Sequence, residues 1–271
     1  MMPFKSHFGM SRNPFHKEDM QPKDAYESID HLELQSGLSY LVKVKGIGVI
    51  TAPSGYGKTF AIRCFTASLD PKLHTPAYIC LSTVSVPEFY KELGNAVNAD
   101  RKCNKTDMFN AIRFQIRQYN SSGIRKPFII IIDEAQELST HILKDLKLLT
   151  NFHYDSQYCF TLILCGTPEL LDHLNRDIHE PLRQRIVYHY ALEGLADVEV
   201  REYVLHKIAL SGASTEIIAE EAMNALIGGC ERKVRVIDSA MTAALLICAQ
   251  KRKERIDAAI MQGAIESLSL G

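Results

Sequence analysis

The chain has 271 residues and a formal net charge of −1 at pH 7, and 46% of its residues are hydrophobic. This length predicts one large domain plus a smaller one, with enough apolar residues for a sizeable core. No apolar run is long enough to span a membrane. The near-zero charge neither favours nor excludes nucleic acid, so a nucleic-acid site would have to be a local patch.

The cysteines and the N-terminus favour a cytoplasmic protein. Seven cysteines make an odd set with no C-x-x-C pair, and several fall in apolar segments, which is typical of reduced and buried thiols. No secretory signal precedes the first charged residues. We therefore expect a cytoplasmic location, without disulfides, zinc or membrane contact.

The first informative element is a strand, a glycine-rich loop and a helix start at residues 47–60, IGVITAPSGYGKTF. A P-loop has this layout, because its backbone N–H groups cradle phosphates, its lysine reaches the β and γ phosphates and its hydroxyl holds Mg²⁺. Ala52 stands where the motif G-x-x-x-x-G-K-T has its first glycine. The alternative is a glycine-rich turn that starts a helix without binding anything. The residues predicted to bind ATP are Pro53, Ser54, Gly55, Tyr56, Gly57, Lys58 and Thr59.

Strands and helices alternate after this loop, as in a doubly wound α/β domain. Helix 58–68, strand 77–81 and helices 86–97 and 106–119 are predicted to follow. The polar link 98–105 carries Arg101, Lys102 and Lys105, which are candidates for contacts with DNA phosphates. Arg125 with Lys126 and the basic run 251–255 are alternative patches. For all three patches, a plain solvated face is the more common explanation.

Two adjacent carboxylates end the next predicted strand. Residues 128–134 read FIIIIDE, and an apolar run of this kind suits a strand buried on both faces of a parallel sheet. Carboxylates at the tip of such a strand are costly unless they are used. In a P-loop enzyme Asp133 would orient Mg²⁺, and Glu134 would polarise the water that attacks the γ-phosphate. The alternative is an ordinary strand end where acidic residues meet solvent.

The remaining elements complete a sheet and then turn helical. A helix at 138–151 and a strand at 160–164 precede Thr167, which we expect beside the γ-phosphate as a sensor or, alternatively, as the N-cap of the next helix. Arg183 and Arg185 precede the last strand, 186–192, and we favour Arg185 as a finger that reaches a neighbouring subunit's nucleotide. Their alternative role is ordinary surface ion pairing. Helices are predicted from Asp197 and at 216–227, 235–249 and 257–268.

The order of these motifs resembles the AAA+ ATPases, and finer features resemble their ExeA-like group, which includes the ATPase partners of DNA transposases (TnsC, TniB, MuB and IstB relatives). The features are HFGMSRNPF at 7–15, DEAQEL at 133–138, LKLLTNF at 146–152, LILCGTPEL at 162–170, LRQRI at 182–186, RVIDSAMTAALL at 235–246 and the closing ERIDAAIMQGAIESL. Ala52 departs from the motif, as does Thr167, where many relatives carry glutamine. The resemblance favours Arg235 over Arg232 as a second nucleotide sensor.

The resemblance implies an AAA+ P-loop fold, with a parallel-sheet α/β core and a small C-terminal helical lid. It divides the chain into an N-terminal segment packing on the core (1–40), the ATPase core (41–194) and the lid (195–271). It further implies an ATPase with ATP and Mg²⁺ as cofactors that assembles on double-stranded DNA as a ring or helical filament. Such proteins recruit a transposase and help select target DNA.

Two alternative functions stay open at this point. Secretion-type relatives continue into a membrane span and a cell-wall-binding region, and because this sequence stops at Gly271 we expect the transposition branch. The ATPase core of an envelope export system is nevertheless one alternative. A nucleotide-gated scaffold in which hydrolysis is incidental is the other.

Overall fold

The computed structural model describes residues 3–80, 85–121, 126–151 and 158–268. Leu81, at the end of the predicted strand 77–81, and Arg125 lie outside these ranges. In chain order the helices and strands are α1 (Pro3–His7), α2 (Ile29–Val44), β1 (Ile47–Thr51), α3 (Lys58–Ser68), β2 (Thr75–Cys80), α4 (Val86–Ala96), α5 (Lys105–Asn120), β3 (Phe128–Asp133), α6 (Thr140–Thr150), β4 (Thr161–Gly166), α7 (Glu169–Leu174), α8 (Glu180–Arg183), β5 (Ile186–Ala191), α9 (Asp197–Leu210), α10 (Glu220–Gly229), α11 (Val234–Gln250) and α12 (Ala258–Leu268).

The five strands form one parallel sheet in the order β2-β3-β4-β1-β5. Every residue of β1, β3 and β4 is buried, because these central strands are covered on both faces. The edge strands β2 and β5 instead alternate more buried with exposed residues. The predicted α/β fold class with a parallel sheet is confirmed.

Most predicted elements agree with the structure to within a few residues. Helix α2 is an exception, because the prediction for this region is only a segment, 1–40, that packs on the core. Helix α10 begins at Glu220, not at Glu216, because residues 215–217 form a separate 3₁₀ turn capped by the Ser214 hydroxyl. No described helix is long and apolar enough to cross a membrane.

By packing, the chain divides into two compact units. The first comprises the described residues of Met1–Leu32, Ser54–Phe60 and Glu193–Gly271, and the second those of Glu33–Pro53 and Ala61–Leu192. Phe4, Met10 and Phe15 are buried in the core of the first unit, among side chains of α9 to α12. The sequence had placed these residues on the ATPase core. The three-part division at residues 40 and 194 stays a prediction.

Hydrogen bonds fix the N-terminal motif in the first unit. The Ser11 amide and hydroxyl both donate to the Ser211 carbonyl, at 2.9 and 3.0 Å. The Arg12 guanidinium donates to the Asp24 carboxylate at 2.8 Å, and this bond holds the pKa of Asp24 below its usual value. The segment that reads HFGMSRNPF is therefore part of a folded unit and is joined to the end of α9.

A buried charge also joins that segment to the C-terminal helices. Lys207 is 5% exposed, and its ammonium donates to both oxygens of Asp238, at 2.8 and 3.0 Å. The ammonium lies 4.6 Å from the Tyr203 ring centroid and 5.5 Å from that of Phe15, which suits a cation–π contact. Burial lowers the pKa of Lys207. The ion pair is thus enclosed by residues from three separate parts of the sequence.

Candidate functional site

The P-loop, residues 52–59, has the backbone geometry that phosphate binding requires. Gly55 and Gly57 have φ of +93° and +91°, a region that L side chains rarely adopt. Helix α3 begins at Lys58, and the N-terminus of a helix favours an anion. Lys58 is only 7% exposed. A buried ammonium needs a compensating negative charge, and a polyphosphate supplies one.

Ala52, the departure from the P-loop motif, is explained by the structure. Its φ is not positive, so this position does not need a glycine for its backbone conformation. Its N–H donates to the carbonyl of Gly166 at 3.1 Å, and its methyl group is buried at 1% exposure. Ala52 therefore extends the pairing of β1 with β4 by one residue before the loop begins.

Arg235 contacts the P-loop within the first unit. Its Nη1 donates to the Ser54 hydroxyl at 3.0 Å, and its backbone N–H donates to the Gly55 carbonyl at 3.0 Å. A Cβ at Gly55 would lie 3.2 Å from the Arg235 Cβ, so the two backbones are close. Arg232 has a different neighbour, Asp197, with Nε and Oδ1 3.9 Å apart. Of the two arginines considered as a second sensor, Arg235 is the one on the loop.

Gly194 brings a third part of the first unit to the loop. It has φ +83°, and an added Cβ would lie 2.6 Å from the Arg232 carbonyl oxygen and 2.9 Å from the Tyr56 ring. Its N–H and that of Glu193 both donate to the Asp30 carboxylate, at 2.9 and 2.8 Å. The start of the C-terminal helical region is thus clamped by an N-terminal carboxylate and packed against a P-loop tyrosine.

In the second unit, Asp133 ends β3 and is 2% exposed. Its carboxylate accepts the Tyr78 hydroxyl at 2.8 Å and the Glu134 backbone N–H at 3.0 Å. Tyr78 lies on the neighbouring strand β2, in the register that pairs Cys80 with Asp133. Partial burial of the hydroxyl and this hydrogen bond raise the pKa of Tyr78. No local sequence pattern indicates the role of Tyr78, because its partner Asp133 is 55 residues away.

Glu134 sits at a sharp change of chain direction. Its backbone is left-handed, with φ 54° and ψ 38°, and a 3₁₀ turn at Ala135–Glu137 follows. Such a conformation costs energy in a residue with a side chain and is common at functional sites. The Glu134 carboxylate accepts a hydrogen bond of 2.8 Å from Gln136 Nε2. The side-chain oxygen of Gln136, Oε1, accepts one of 3.1 Å from the Thr167 backbone N–H.

Thr167 directly follows β4, as expected for a sensor position. No side chain makes a capping hydrogen bond at the start of α7, and Pro168 there already has helical dihedrals, so the N-cap alternative for Thr167 rests on its backbone alone. The backbone carbonyl of Thr167 accepts the Leu170 N–H at 3.0 Å. Its sensor role stays a prediction.

The paired arginines have different surroundings. Arg183 Nη1 donates to the carbonyl oxygens of Asn175 and Leu174, at 2.9 and 3.5 Å, so its guanidinium satisfies the C-terminal carbonyls of α7. Arg185 Nη1 donates to the Thr150 hydroxyl at 3.4 Å. Both arginines thus contact their own chain, and the choice of Arg185 as the finger stays a prediction.

The basic residues of the 98–105 link line a cavity of about 320 Å³. All three are exposed. Lys102 Nζ lies 3.8 Å from the Asp100 carboxylate, and Lys105 Nζ lies 2.6 Å from that of Asp145 and 5.6 Å from the Tyr90 ring centroid. Two of the three predicted residues are therefore paired with carboxylates, which reduces the positive charge of the patch. The cavity is lined by Pro87, Tyr90, Lys91, Arg101, Lys102, Cys103, Asn104, Lys105 and Met108.

Comparisons with known proteins agree with the sheet and the loop. Residues 42–174, about half of the chain, match the family model described as AAA domain. General secretion pathway protein A of Aeromonas hydrophila is 30% identical over 244 residues, which make up 88% of this chain and 44% of that protein. The chain thus spans less than half the length of this relative.

Solved structures agree on the fold. The ADP form of the Aeropyrum pernix ORC2 protein has a TM-score of 0.68 at 12% identity, over 94% of this chain and 72% of that one. The Aeropyrum pernix ORC1 protein in complex with DNA has a TM-score of 0.63 at 12% identity, over 90% of this chain and 66% of that one. At this identity the likeness concerns the fold alone.

The substitution Ala52→Gly tests the explanation of the motif departure. We expect the free energy of unfolding to fall by about 0.5–1 kcal/mol, because glycine loses more backbone entropy on folding. Affinity for a fluorescent ATP analogue should stay unchanged, since position 52 needs no positive φ. Urea denaturation and nucleotide titration measure the two quantities. Markedly tighter binding by Ala52→Gly would show that the methyl group restricts the loop.

Proposed function

We propose that the chain is an ATPase that binds ATP with Mg²⁺ and hydrolyses it to ADP and phosphate. The observation that carries the proposal is the pair of carboxylates that ends β3, Asp133 buried on two hydrogen-bond donors and Glu134 held in a left-handed turn. Burying a carboxylate and straining the backbone both cost free energy, and such costs are typical of functional sites. The P-loop glycines and buried Lys58 support the same reaction.

Each predicted residue then has a role. Residues 53–57 and Lys58 bind the phosphates, and Glu134 acts as the base toward the attacking water. The Thr59 hydroxyl and the Asp133 carboxylate would hold Mg²⁺, which prefers such oxygen ligands. When bound, the ion supplies positive charge to the phosphates. Thr167 senses the γ-phosphate, and Arg235, already on Ser54, couples the nucleotide state to the C-terminal helices.

Glu134→Gln tests hydrolysis directly. The amide cannot take a proton, so we expect turnover to fall by about 10²–10⁴-fold while ATP binding persists. Phosphate release and titration with a fluorescent analogue measure the two effects, and Lys58→Ala, which should lose binding, is the control. If Glu134→Gln behaves like the parent in turnover and in any ATP-dependent assembly, the scaffold with incidental hydrolysis is the better description.

We further propose that the chain forms a homo-oligomer in which Arg185 reaches the nucleotide of the next subunit. An arginine from a neighbour stabilises charge on the transferring phosphoryl group. Arg185 directly precedes β5, and its charged guanidinium can form strong hydrogen bonds with phosphate oxygens. Arg183, bound to the end of α7, has a structural role instead.

Mixing two inactive variants tests this proposal. Glu134→Gln keeps the finger and Arg185→Ala keeps the base, so mixed oligomers contain some sites with both. We expect each variant alone to hydrolyse ATP at least tenfold more slowly than the parent, and the mixture to regain part of the activity. Arg183→Ala mixed with Glu134→Gln is the matched control. A mixture no more active than its components would contradict a finger acting between subunits.

The partner of this ATPase is proposed to be double-stranded DNA, with a transposase recruited to the assembly in the cytoplasm. Arg101 and Lys102, exposed beside the 320 Å³ cavity, support a polyanionic ligand. The likeness in fold to a protein solved with DNA is compatible with this. The identity to a secretion pathway protein favours the second candidate, the ATPase core of an envelope export system.

Charge reversal separates these candidates. With a non-hydrolysable ATP analogue, Arg101→Glu combined with Lys102→Glu should weaken duplex binding and reduce the salt slope by about two, since each phosphate contact contributes about one. Lys251→Glu with Arg252→Glu makes the same charge change on the alternative patch and shows which of the two patches contacts DNA. Fluorescence anisotropy gives the slopes, and electron microscopy shows any rings or filaments. No nucleotide-dependent DNA binding by the parent chain would favour the export candidate.

A further inference from the structure

We propose that Gln136 is a positioning residue that holds the Glu134 carboxylate in its working orientation and ties it to the end of β4. The proposal rests on the proposed hydrolytic role of Glu134. One planar amide spans two elements: Nε2 is 2.8 Å from the Glu134 carboxylate, and Oε1 is 3.1 Å from the Thr167 backbone nitrogen. Base and sensor are thereby connected through a single side chain.

The orientation of this amide is dictated by its two neighbours. A backbone N–H can only donate, so the atom of Gln136 that faces Thr167 must be the carbonyl oxygen. The NH₂ group then faces the carboxylate, which can only accept when it is ionised. The reverse orientation would set donor against donor and acceptor against acceptor. A glutamine side chain therefore fits this position, because it offers one donor and one acceptor. An ionised carboxylate would lack the donor, and an ammonium group would lack the acceptor.

The backbone around the bridge is shaped for it. The left-handed turn at Glu134 and the 3₁₀ turn after it bring side chains 134 and 136 together, and Ala135 between them is fully buried. On the other side, a Cβ at Gly166 would lie 2.8 Å from Gln136 Oε1. The missing side chain at Gly166 thus leaves room for the Gln136 carbonyl to reach the end of β4.

The bridge predicts a specific effect on catalysis. A carboxylate with a free torsion samples many orientations, and a base works only within hydrogen-bond reach of the attacking water. The hydrogen bond from the Gln136 amide restricts the Glu134 carboxylate to fewer orientations, so a larger fraction of them can be productive. A shift of the β4 end at Thr167 would be passed to Glu134 through the same amide.

Two substitutions at Gln136 distinguish positioning from a structural role. Gln136→Met keeps the length of the side chain and removes both hydrogen bonds. Gln136→Glu keeps an acceptor for the Thr167 N–H but opposes a like charge to Glu134. If the residue only anchors Thr167, Gln136→Glu should be the milder change. If it positions Glu134, Gln136→Glu should be at least as damaging as Gln136→Met.

We expect Gln136→Met in the full chain to lower kcat about tenfold with KM and affinity for an ATP analogue unchanged, and Gln136→Glu to lower kcat further. Gln118→Met, at an exposed glutamine of α5, is the matched control. Steady-state phosphate release, nucleotide titration and thermal unfolding give the readouts. Full kcat in Gln136→Met, a milder Gln136→Glu, or a loss that follows lowered stability or nucleotide affinity would overturn the inference.

The same series separates this inference from the proposed function. If Glu134→Gln abolishes turnover while Gln136→Met leaves kcat intact, Glu134 is the base and Gln136 does not position it. If Glu134→Gln keeps full turnover, the hydrolytic role of Glu134 is refuted, and the positioning role falls with it.

Discussion

A carboxylate at the end of a strand that is buried on both faces needs hydrogen-bond donors. The neighbouring strand and the turn after β3 in the second unit are arranged to provide them. Strand β3 is covered throughout, so Asp133 ends it with almost no solvent contact. Tyr78 on the adjacent strand and the next backbone N–H provide the donors. The chain then turns at once through a left-handed residue, which directs Glu134 toward Gln136 and the end of β4.

The features that could be predicted from the sequence are those with local causes. Central strands are unbroken apolar runs, and the P-loop needs positive φ at Gly55 and Gly57, which glycine supplies. The sheet, the order of elements and the class of protein follow from such patterns. The role of Ala52 could not be predicted in this way, because it depends on a hydrogen bond to the carbonyl of Gly166, which is distant in sequence.

What escaped prediction depends on residues far apart in sequence. Gln136 stands in the quoted motif, yet its function depends on a backbone N–H 31 positions away and on the turn at Glu134. Lys105 belongs by composition to a basic patch, but it is paired with Asp145, 40 positions later. Periodicity and motif spacing carry no information about such pairings. Helix α2 is a different case, because its buried residues Leu34, Leu38 and Leu41 have helical spacing and could have indicated it.

The first unit is discontinuous along the chain, and this has a consequence for how the protein is made. Ser11 bonds to Ser211, 200 positions later, and Phe15 forms one wall around the Lys207 ammonium. During synthesis, residues 4–15 therefore cannot pack until residues about 200 positions later have been made. Residues 33–53 and 61–192 hold the described sheet and can collapse earlier, because domains fold as units during synthesis. Until then the apolar side chains of Phe4, Met10 and Phe15 have no core to pack into, so chaperones can bind them on the nascent chain.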